Sequence, residues 1–246
     1  MTTWQERYLA RFYDPARGFV DGTTEFHHMC AEAIRPGGRI LEIGAGRSNA
    51  TSRFLATLGS VHGLDPDPAV LGNDALAGAQ VLEGGRFPAA DASFDACASN
   101  FVLEHVREPE VHLAEVFRVL RPGGAYLFRT ANSTHYVTLV SRLTPHAFHR
   151  RVVKRLNNAP EGASDPFPTV YAANSARQIR RLAARAGLAV ETLRRVEKEP
   201  SYGMASRAMF LAFTAYERLV NASEHLAGLR SSIFAVLRKP GARQGD

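Results

Sequence analysis

The chain has 246 residues, room for one large domain or one domain with a sizeable insertion. A chain of this length buries roughly three quarters of its unfolded surface, so its core needs no metal or disulfide staple. With 45% hydrophobic and 22% charged residues it has ordinary globular composition, which excludes a disordered, collagenous or membrane-embedded chain. The net charge of +6 is unevenly placed: residues 1–130 hold 12 basic and 16 acidic side chains (net −4), and residues 131–246 hold 18 and 8 (net +10).

The first twenty residues carry Glu6, Arg7, Arg11, Asp14 and Arg17, so no signal-peptide apolar region is expected. Helices are expected near residues 3–13 and 23–35. A strand–helix alternation then begins. Residues 39–43 read as a buried strand ended by Gly44, 52–58 as a helix, 61–65 as a second strand stopped by Pro66, 79–83 as a weak third and 93–98 as a fourth. Leu113, Val116, Phe117 and Leu120 recur at helical spacing, and Arg121-Pro122-Gly123-Gly124 closes that helix before a fifth strand at 125–129. The pattern breaks over 131–173, which is rich in His, Pro, Asn and aromatics. A helix at 175–186, a sixth strand at 188–196, a long helical stretch at 205–229 and a last strand at 232–237 complete the chain. Right-handed crossovers between such units build a doubly wound α/β fold. The expected organisation is one domain, 1–246: an N-terminal helical cap (1–37), a cofactor-binding half (38–130), an acceptor-side insertion (131–173) and the C-terminal part of the sheet with its tail (174–246). Cys30 and Cys97 show no metal or redox spacing and read as buried thiols of a cytoplasmic protein.

Glu42-Ile43-Gly44-Ala45-Gly46-Arg47-Ser48 lies between a strand and a helix. Gly44 and Gly46 remove side chains where the backbone turns tightly and can approach a ligand. The following helix start offers amide donors, and Ser48 or Asn49 can cap it. A tight strand-to-helix turn alone would explain both glycines. Asp65 stands 19 residues after Gly46, at the end of the second strand. A carboxylate there can accept from both ribose hydroxyls of an adenosine; a turn aspartate ahead of Pro66 is the alternative. A dinucleotide site wants a third glycine where Asn49 stands. Glu42 would repel a pyrophosphate but suits the ammonium of a methionine tail, which favours S-adenosylmethionine over NAD.

These residues resemble the class I S-adenosylmethionine-dependent methyltransferases, in particular the small-molecule enzymes similar to those of ubiquinone and menaquinone biosynthesis. The resemblance runs from about residue 38 to residue 130. It is carried in order by Ile40-Leu41-Glu42-Ile43-Gly44-Ala45-Gly46, Gly63-Leu64-Asp65, the segment Phe87 to Asp95, Asn100-Phe101-Val102-Leu103-Glu104-His105-Val106, and Glu115 to Gly124. It implies a Rossmann-like, seven-stranded, mostly parallel sheet with helices on both faces and an inserted segment after strand five. It also implies that Glu42, Gly44 and Gly46 line the methionine end and that Asp65, with Pro66 beside it, meets the ribose. Glu83 falls where relatives carry an adenine-contacting aspartate, Gly84 and Gly85 allow approach to the base, and Asn100 presents backbone to the ammonium. Ser48 replaces the family's usual third glycine. Tyr13 and Phe19 are candidates to cover the cofactor, or to pack in the core.

The implied chemistry is in-line methyl transfer with S-adenosylhomocysteine as product and no metal. A general base is needed only where the acceptor must lose a proton. His105 is placed for that, although Leu103-Glu104-His105-Val106 also reads as a general cofactor-orienting pattern. Asn132, His135, Tyr136, His146, His149 and Tyr171 follow strand five, at the end of the sheet where ligands sit. Of these, His135 and Tyr136 are the catalytic candidates. His146-x-x-His149 lacks the partners of a metal site. Met204, Met209, Phe210, Leu211, Phe213 and Tyr216 exceed one helical face and suit a sheet-crossing helix, a lid, a homodimer contact or a peripheral membrane contact. No stretch there is long enough to span a membrane. The expected acceptor is a small molecule, anionic or apolar. An RNA acceptor, which the +10 would favour, is disfavoured by the lack of a recognisable RNA-binding module. A non-catalytic cofactor-binding subunit is the other alternative.

Overall fold

The computed structural model of the chain describes residues 3–136, 168–200 and 203–241. Seven strands form one sheet: β1 (Gly38–Ile43), β2 (Gly59–Asp65), β3 (Gly78–Val81), β4 (Phe94–Asn100), β5 (Leu120–Ala131), β6 (Ala189–Val196) and β7 (Ser232–Arg238). Their order is β3-β2-β1-β4-β5-β7-β6. The pairs β1–β2, β1–β4, β2–β3 and β4–β5 are parallel. The Gly123 N–H donates to the Lys239 carbonyl and the Lys239 N–H to the Gly124 carbonyl, so β7 runs antiparallel to β5. The chain leaves β1 for β2 on one side and comes back from β3 to β4 on the other. That reversal opens a crevice at the C-terminal ends of β1 and β4.

Among the described residues there are six α-helices: α1 (Trp4–Phe12), α2 (Gly22–Ala33), α3 (Ala50–Leu58), α4 (Pro109–Val119), α5 (Ala176–Arg185) and α6 (Arg207–Asn221). Successive strand residues point to opposite faces. Leu41, Ile43, Leu64, Cys97, Tyr126 and Phe128 therefore share one face, where Leu113 and Val116 of α4 and Ile179 and Leu182 of α5 bury against them. Ile40 of β1 and Leu55 of α3 are fully buried outside that cluster. Local chemistry starts the helices: Thr3 and Glu6 form a capping box for α1, and Asn49, Ser175 and Ser206 accept from first-turn amides of α3, α5 and α6.

The described residues form two compact units. One holds 26–131, 168–194 and 233–241; the other holds 3–25, 132–136, 195–200 and 203–232. Most of the expected acceptor-side insertion, His146 and His149 included, lies outside the described residues.

Three boundaries differ from the sequence reading. The helix expected to end at Arg121 stops at Val119, and β5 already begins at Leu120. A bulge explains this. Leu120 pairs with Phe94 and Ala125 with Ala96, so Pro122-Gly123-Gly124 are accommodated inside an irregular stretch of the strand. The third strand ends at Val81, which leaves Glu83 in an exposed loop. The stretch expected to be helical to Leu229 breaks after Asn221 and resumes as a 3-10 turn, Glu224–Leu229, capped by Ser223. Arg230 holds that break: its guanidinium donates to the carbonyls of Val220, Ser223 and Arg195 and to Glu224.

Candidate functional site

The site builds from the ends of β1, β2 and β4. Gly44 and Gly46 have φ of +73° and +51°, a region that favours glycine. At Gly44 a Cβ would come within 2.3 Å of Val102 Cγ2, so the turn after β1 also depends on that missing side chain. Asp65, at the end of β2, fixes the same turn. Its Oδ2 accepts from the Gly46 N–H at 2.9 Å and its Oδ1 from the Asp67 N–H at 2.8 Å. Pro66, between them, is exposed.

Further polar clasps hold the loop, and of these the sequence offers only the Asn49 cap. Asn73 Nδ2 donates to the carbonyl of Gly46 at 3.2 Å and to Ser52 Oγ at 3.1 Å. Ser48 hydrogen-bonds Asp74 in both directions, with its hydroxyl donating to the carboxylate and the Asp74 N–H donating back. Asn49, where a dinucleotide fold would want glycine, is the α3 cap: its Oδ1 accepts from Thr51 and Ser52, and its Nδ2 donates to the Ala45 carbonyl at 2.9 Å. Residues 73 and 74 follow a 3-10 turn and carry no local pattern that announces this contact.

Glu42 is buried, at 4% exposure. Ser52 Oγ accepts from Asn49 and Asn73, which leaves its own proton available to the neighbouring Glu42 carboxyl, an interaction that lowers the Glu42 pKa. Burial nevertheless pushes the Glu42 carboxyl up to about 7, and the nearby Asp65 charge adds to the rise. Its Oε2 is buried with no hydrogen-bond partner. Asn100, at the end of β4, donates from Nδ2 to Thr51 Oγ1 at 3.3 Å, and its Oδ1 is likewise buried without a partner. The next residue, Phe101, has φ +56°, a strained value for a side-chain-bearing residue. The arrangement thus presents two buried acceptors beside a backbone turn, a setting that suits a compact cation with several N–H donors.

Downstream, Glu104 is buried and accepts from Thr130 Oγ1 at 2.8 Å, while its carbonyl accepts from the amides of Val170 and Tyr171. Burial raises its carboxyl. His105 Nδ1 lies 3.2 Å from the Pro168 carbonyl. A carbonyl only accepts, so Nδ1 is the donor in that contact.

The structure brings Glu42, Gly44, Gly46 and Asp65 together, with Asn100 tied to the same α3 start. Glu83 and Gly84 lie in the exposed loop after β3, where Gly84 has φ +74°, and no hydrogen bond among the described residues links them to that group. His135 and Tyr136 belong to the other unit. There Tyr136 stacks on Phe213 and meets Tyr216 edge-on, and His135 is buried 3.5 Å from Glu197. Tyr13 and Phe19 pack edge to face in that unit, and the Tyr13 hydroxyl donates to Glu217 at 3.3 Å. A cavity of about 480 Å³ lies over Leu41, Leu64 and Phe94 on the sheet, with Arg39 and His62 at its rim, and none of the expected site residues lines it. Among the described residues no cluster of His, Cys, Asp or Glu could hold a metal ion, and no helix is long and apolar enough to cross a membrane.

A nucleotide-type crevice of this kind defines a class of cofactor-binding α/β proteins, and comparison with known proteins narrows it. Residues 41–128, which contain Glu42 through His105, match the family described as a methyltransferase domain. Over 198 residues the chain is 32% identical to a demethylmenaquinone methyltransferase of Mycobacterium sp. (strain KMS), covering 77% of this chain and 80% of that one. The chain belongs to the class I S-adenosylmethionine-dependent methyltransferase family. It is also 34% identical over 120 residues to an uncharacterized methyltransferase of Mycobacterium sp. (strain JLS), covering 47% of this chain and 48% of that one. It thus spans about half the length of the first such relatives. Its fold is shared with the crystal structure of geranyl diphosphate C-methyltransferase from Streptomyces coelicolor A3(2), at a TM-score of 0.55 and 16% identity, covering 88% of this chain and 78% of that one.

Proposed function

We propose that this protein transfers a methyl group from S-adenosylmethionine to a small-molecule acceptor and releases S-adenosylhomocysteine. One observation carries the cofactor assignment. Glu42 Oε2 and Asn100 Oδ1 are buried acceptors with no partner, and the ammonium of a methionine tail supplies the donors they lack. A pyrophosphate would instead meet the Glu42 carboxylate with like charge.

In this assignment Glu42 and Asn100 hold the amino-acid end, and the Gly44–Gly46 turn lets the backbone approach. Asp65 takes the ribose beside Pro66, and Glu83 and Gly84 take the adenine side. The two backbone amides on Asp65 orient its carboxylate and leave further lone pairs for two hydroxyls. When bound, the cofactor supplies a methyl on a sulfonium, an electrophile that needs no further activation. The chain's own contribution is to position the acceptor and exclude water. Where the acceptor must lose a proton, His105 is the candidate to receive it, its ring oriented by the contact of Nδ1 with the Pro168 carbonyl. By their place just after β5, His135 and Tyr136 are the other unit's candidates for acceptor contact. Relatives named for demethylmenaquinone and for geranyl diphosphate support an apolar or anionic acceptor, and the net +10 of residues 131–246 supports an anion.

Titration calorimetry tests the cofactor: S-adenosylhomocysteine binds and NAD does not. Labelled methyl groups offered with a small-molecule pool and, separately, an RNA pool test the acceptor. Incorporation into RNA alone would overturn the small-molecule reading, and no binding of S-adenosylhomocysteine would overturn the whole assignment.

A further inference from the structure

The orientation of the Asn100 carboxamide is decided away from the ligand, by α2 and the first turn of α3. Thr51 Oγ1 lies 3.3 Å from Asn100 Nδ2 and 3.3 Å from His27 Nε2. Thr51 is 5% exposed, so its hydroxyl satisfies itself on these neighbours and not on solvent. The His27 ring is held in plane by stacking on Phe54, with centroids 4.3 Å apart and planes 4° from parallel. The Thr51 N–H is fixed in turn by the Asn49 cap at 2.8 Å.

A hydroxyl has a single proton to donate. If His27 carries its proton on Nδ1, its Nε2 accepts from Thr51. Thr51 can then only accept from Asn100, which turns the amide nitrogen of Asn100 toward Thr51 and its oxygen away. That oxygen is the one buried without a partner. If Thr51 donated to Asn100 instead, the amide would flip and present N–H groups to the site, where an ammonium could not be accepted. The polarity of the chain of hydrogen bonds from His27 through Thr51 thus sets the sign of the group that Asn100 offers.

We propose that His27 and Thr51 are positioning residues that hold the Asn100 side-chain oxygen ready for the ammonium at the amino-acid end of the cofactor. The proposal rests on the methyltransferase reading above and adds to it two residues that touch neither cofactor nor acceptor.

The test separates the amino-acid end from the nucleoside end. S-adenosylhomocysteine carries the ammonium; 5′-methylthioadenosine carries the same nucleoside and sulfur without it. Both are titrated into the full chain and into Thr51→Val, Thr51→Ser and His27→Phe, the last of which retains a ring to stack on Phe54. Thr51→Val and His27→Phe should weaken S-adenosylhomocysteine about five- to tenfold, the size of one neutral hydrogen bond. Binding of 5′-methylthioadenosine should stay within about twofold, and Thr51→Ser should restore the wild-type affinity for both. Unchanged S-adenosylhomocysteine binding in Thr51→Val and His27→Phe overturns the proposal. So does an equal loss for both ligands, which marks a merely structural role. If the wild-type chain binds neither ligand, the methyltransferase reading fails first, a result distinct from either of these.

Discussion

The two compact units differ in how far their buried polar groups close on one another. In the unit that holds β1–β4, Asn49 and Asn73 donate to Ser52 and Asn100 donates to Thr51, yet Glu42 Oε2 and Asn100 Oδ1 are left with no partner. In the other unit the polar atoms largely close on one another. The Tyr13 hydroxyl meets Glu217, the Tyr216 hydroxyl meets the Leu229 carbonyl at 2.6 Å, Thr214 meets the Phe210 carbonyl, and Arg230 ties four groups together. The pair His135–Glu197 is an exception, at 3.5 Å too long for a good hydrogen bond. Burial pushes His135 down to about 4 and Glu197 up to about 7, so between those pH values both are neutral and the pair is not an ion pair. The difference teaches where to look for a ligand: a network that closes holds shape, and one left open on buried acceptors anticipates a donor from outside.

The sharpest test of the closed network is Phe210→Ala. Phe210 is fully buried and meets Trp4, Tyr8, Phe12 and Tyr13, so its loss should cost about 3–5 kcal/mol in urea unfolding. A loss below about 1 kcal/mol would show that the aromatic cluster is not a core. The sharpest test of the open site is Asp65→Ala. Each charge-assisted hydrogen bond lost is worth about 1.5–3 kcal/mol, so S-adenosylhomocysteine should bind at least about 100-fold more weakly by calorimetry. Unchanged affinity would remove Asp65 from the site.

Glu42→Gln should weaken the same ligand about tenfold at pH 8, and its signature is in the pH profile. In the wild-type chain the carboxyl must ionise near pH 7 to meet an ammonium, so affinity should rise with pH up to about 7 and then level. In Glu42→Gln that rise should vanish. Stability without ligand moves the other way. Burial raises the native pKa of Glu42, so between about pH 4.5 and 7 the native state binds more protons than the unfolded one. The Glu42 contribution therefore falls as pH rises through that window and is flat above it, and the glutamine variant should lack that fall in thermal melts. The smallest effect is expected for Tyr13→Phe, about 1 kcal/mol of stability for one hydrogen bond to Glu217.

The same contrast explains how much could be read in advance. The Gly44–Gly46 turn and Asp65 were legible because each needs a particular residue at a particular point of one strand end, a left-handed backbone in one case and a carboxylate in the other. The fold followed from short apolar runs separated by helical spacing. What was not legible joins distant segments through single polar atoms: Asn73 on the glycine loop, His27 on Thr51, Arg230 across the end of α6. No periodicity marks such residues. The early end of α4 was missed because proline and glycines usually stop a helix, and here a β-bulge absorbs them inside β5.

The junctions at the opposite end of the sheet have a consequence for how such a protein can diversify. Helix α3 ends at Leu58 and β2 begins at Gly59; α4 ends at Val119 and β5 begins at Leu120. Neither joint has a spare residue. A Cβ on Gly59 would fall 2.1 Å from the Gly38 carbonyl oxygen, so even the smallest side chain is refused there. An extra residue within β2 would turn Asp65 to the other face of the sheet. At these two joints length is fixed, and it can change beyond the C-terminal strand ends, in the segments after Ile43, Asp65, Asn100 and Ala131. Lineages built on this plan are free to rewrite what they bind by lengthening one rim, while the other rim keeps the strands in step.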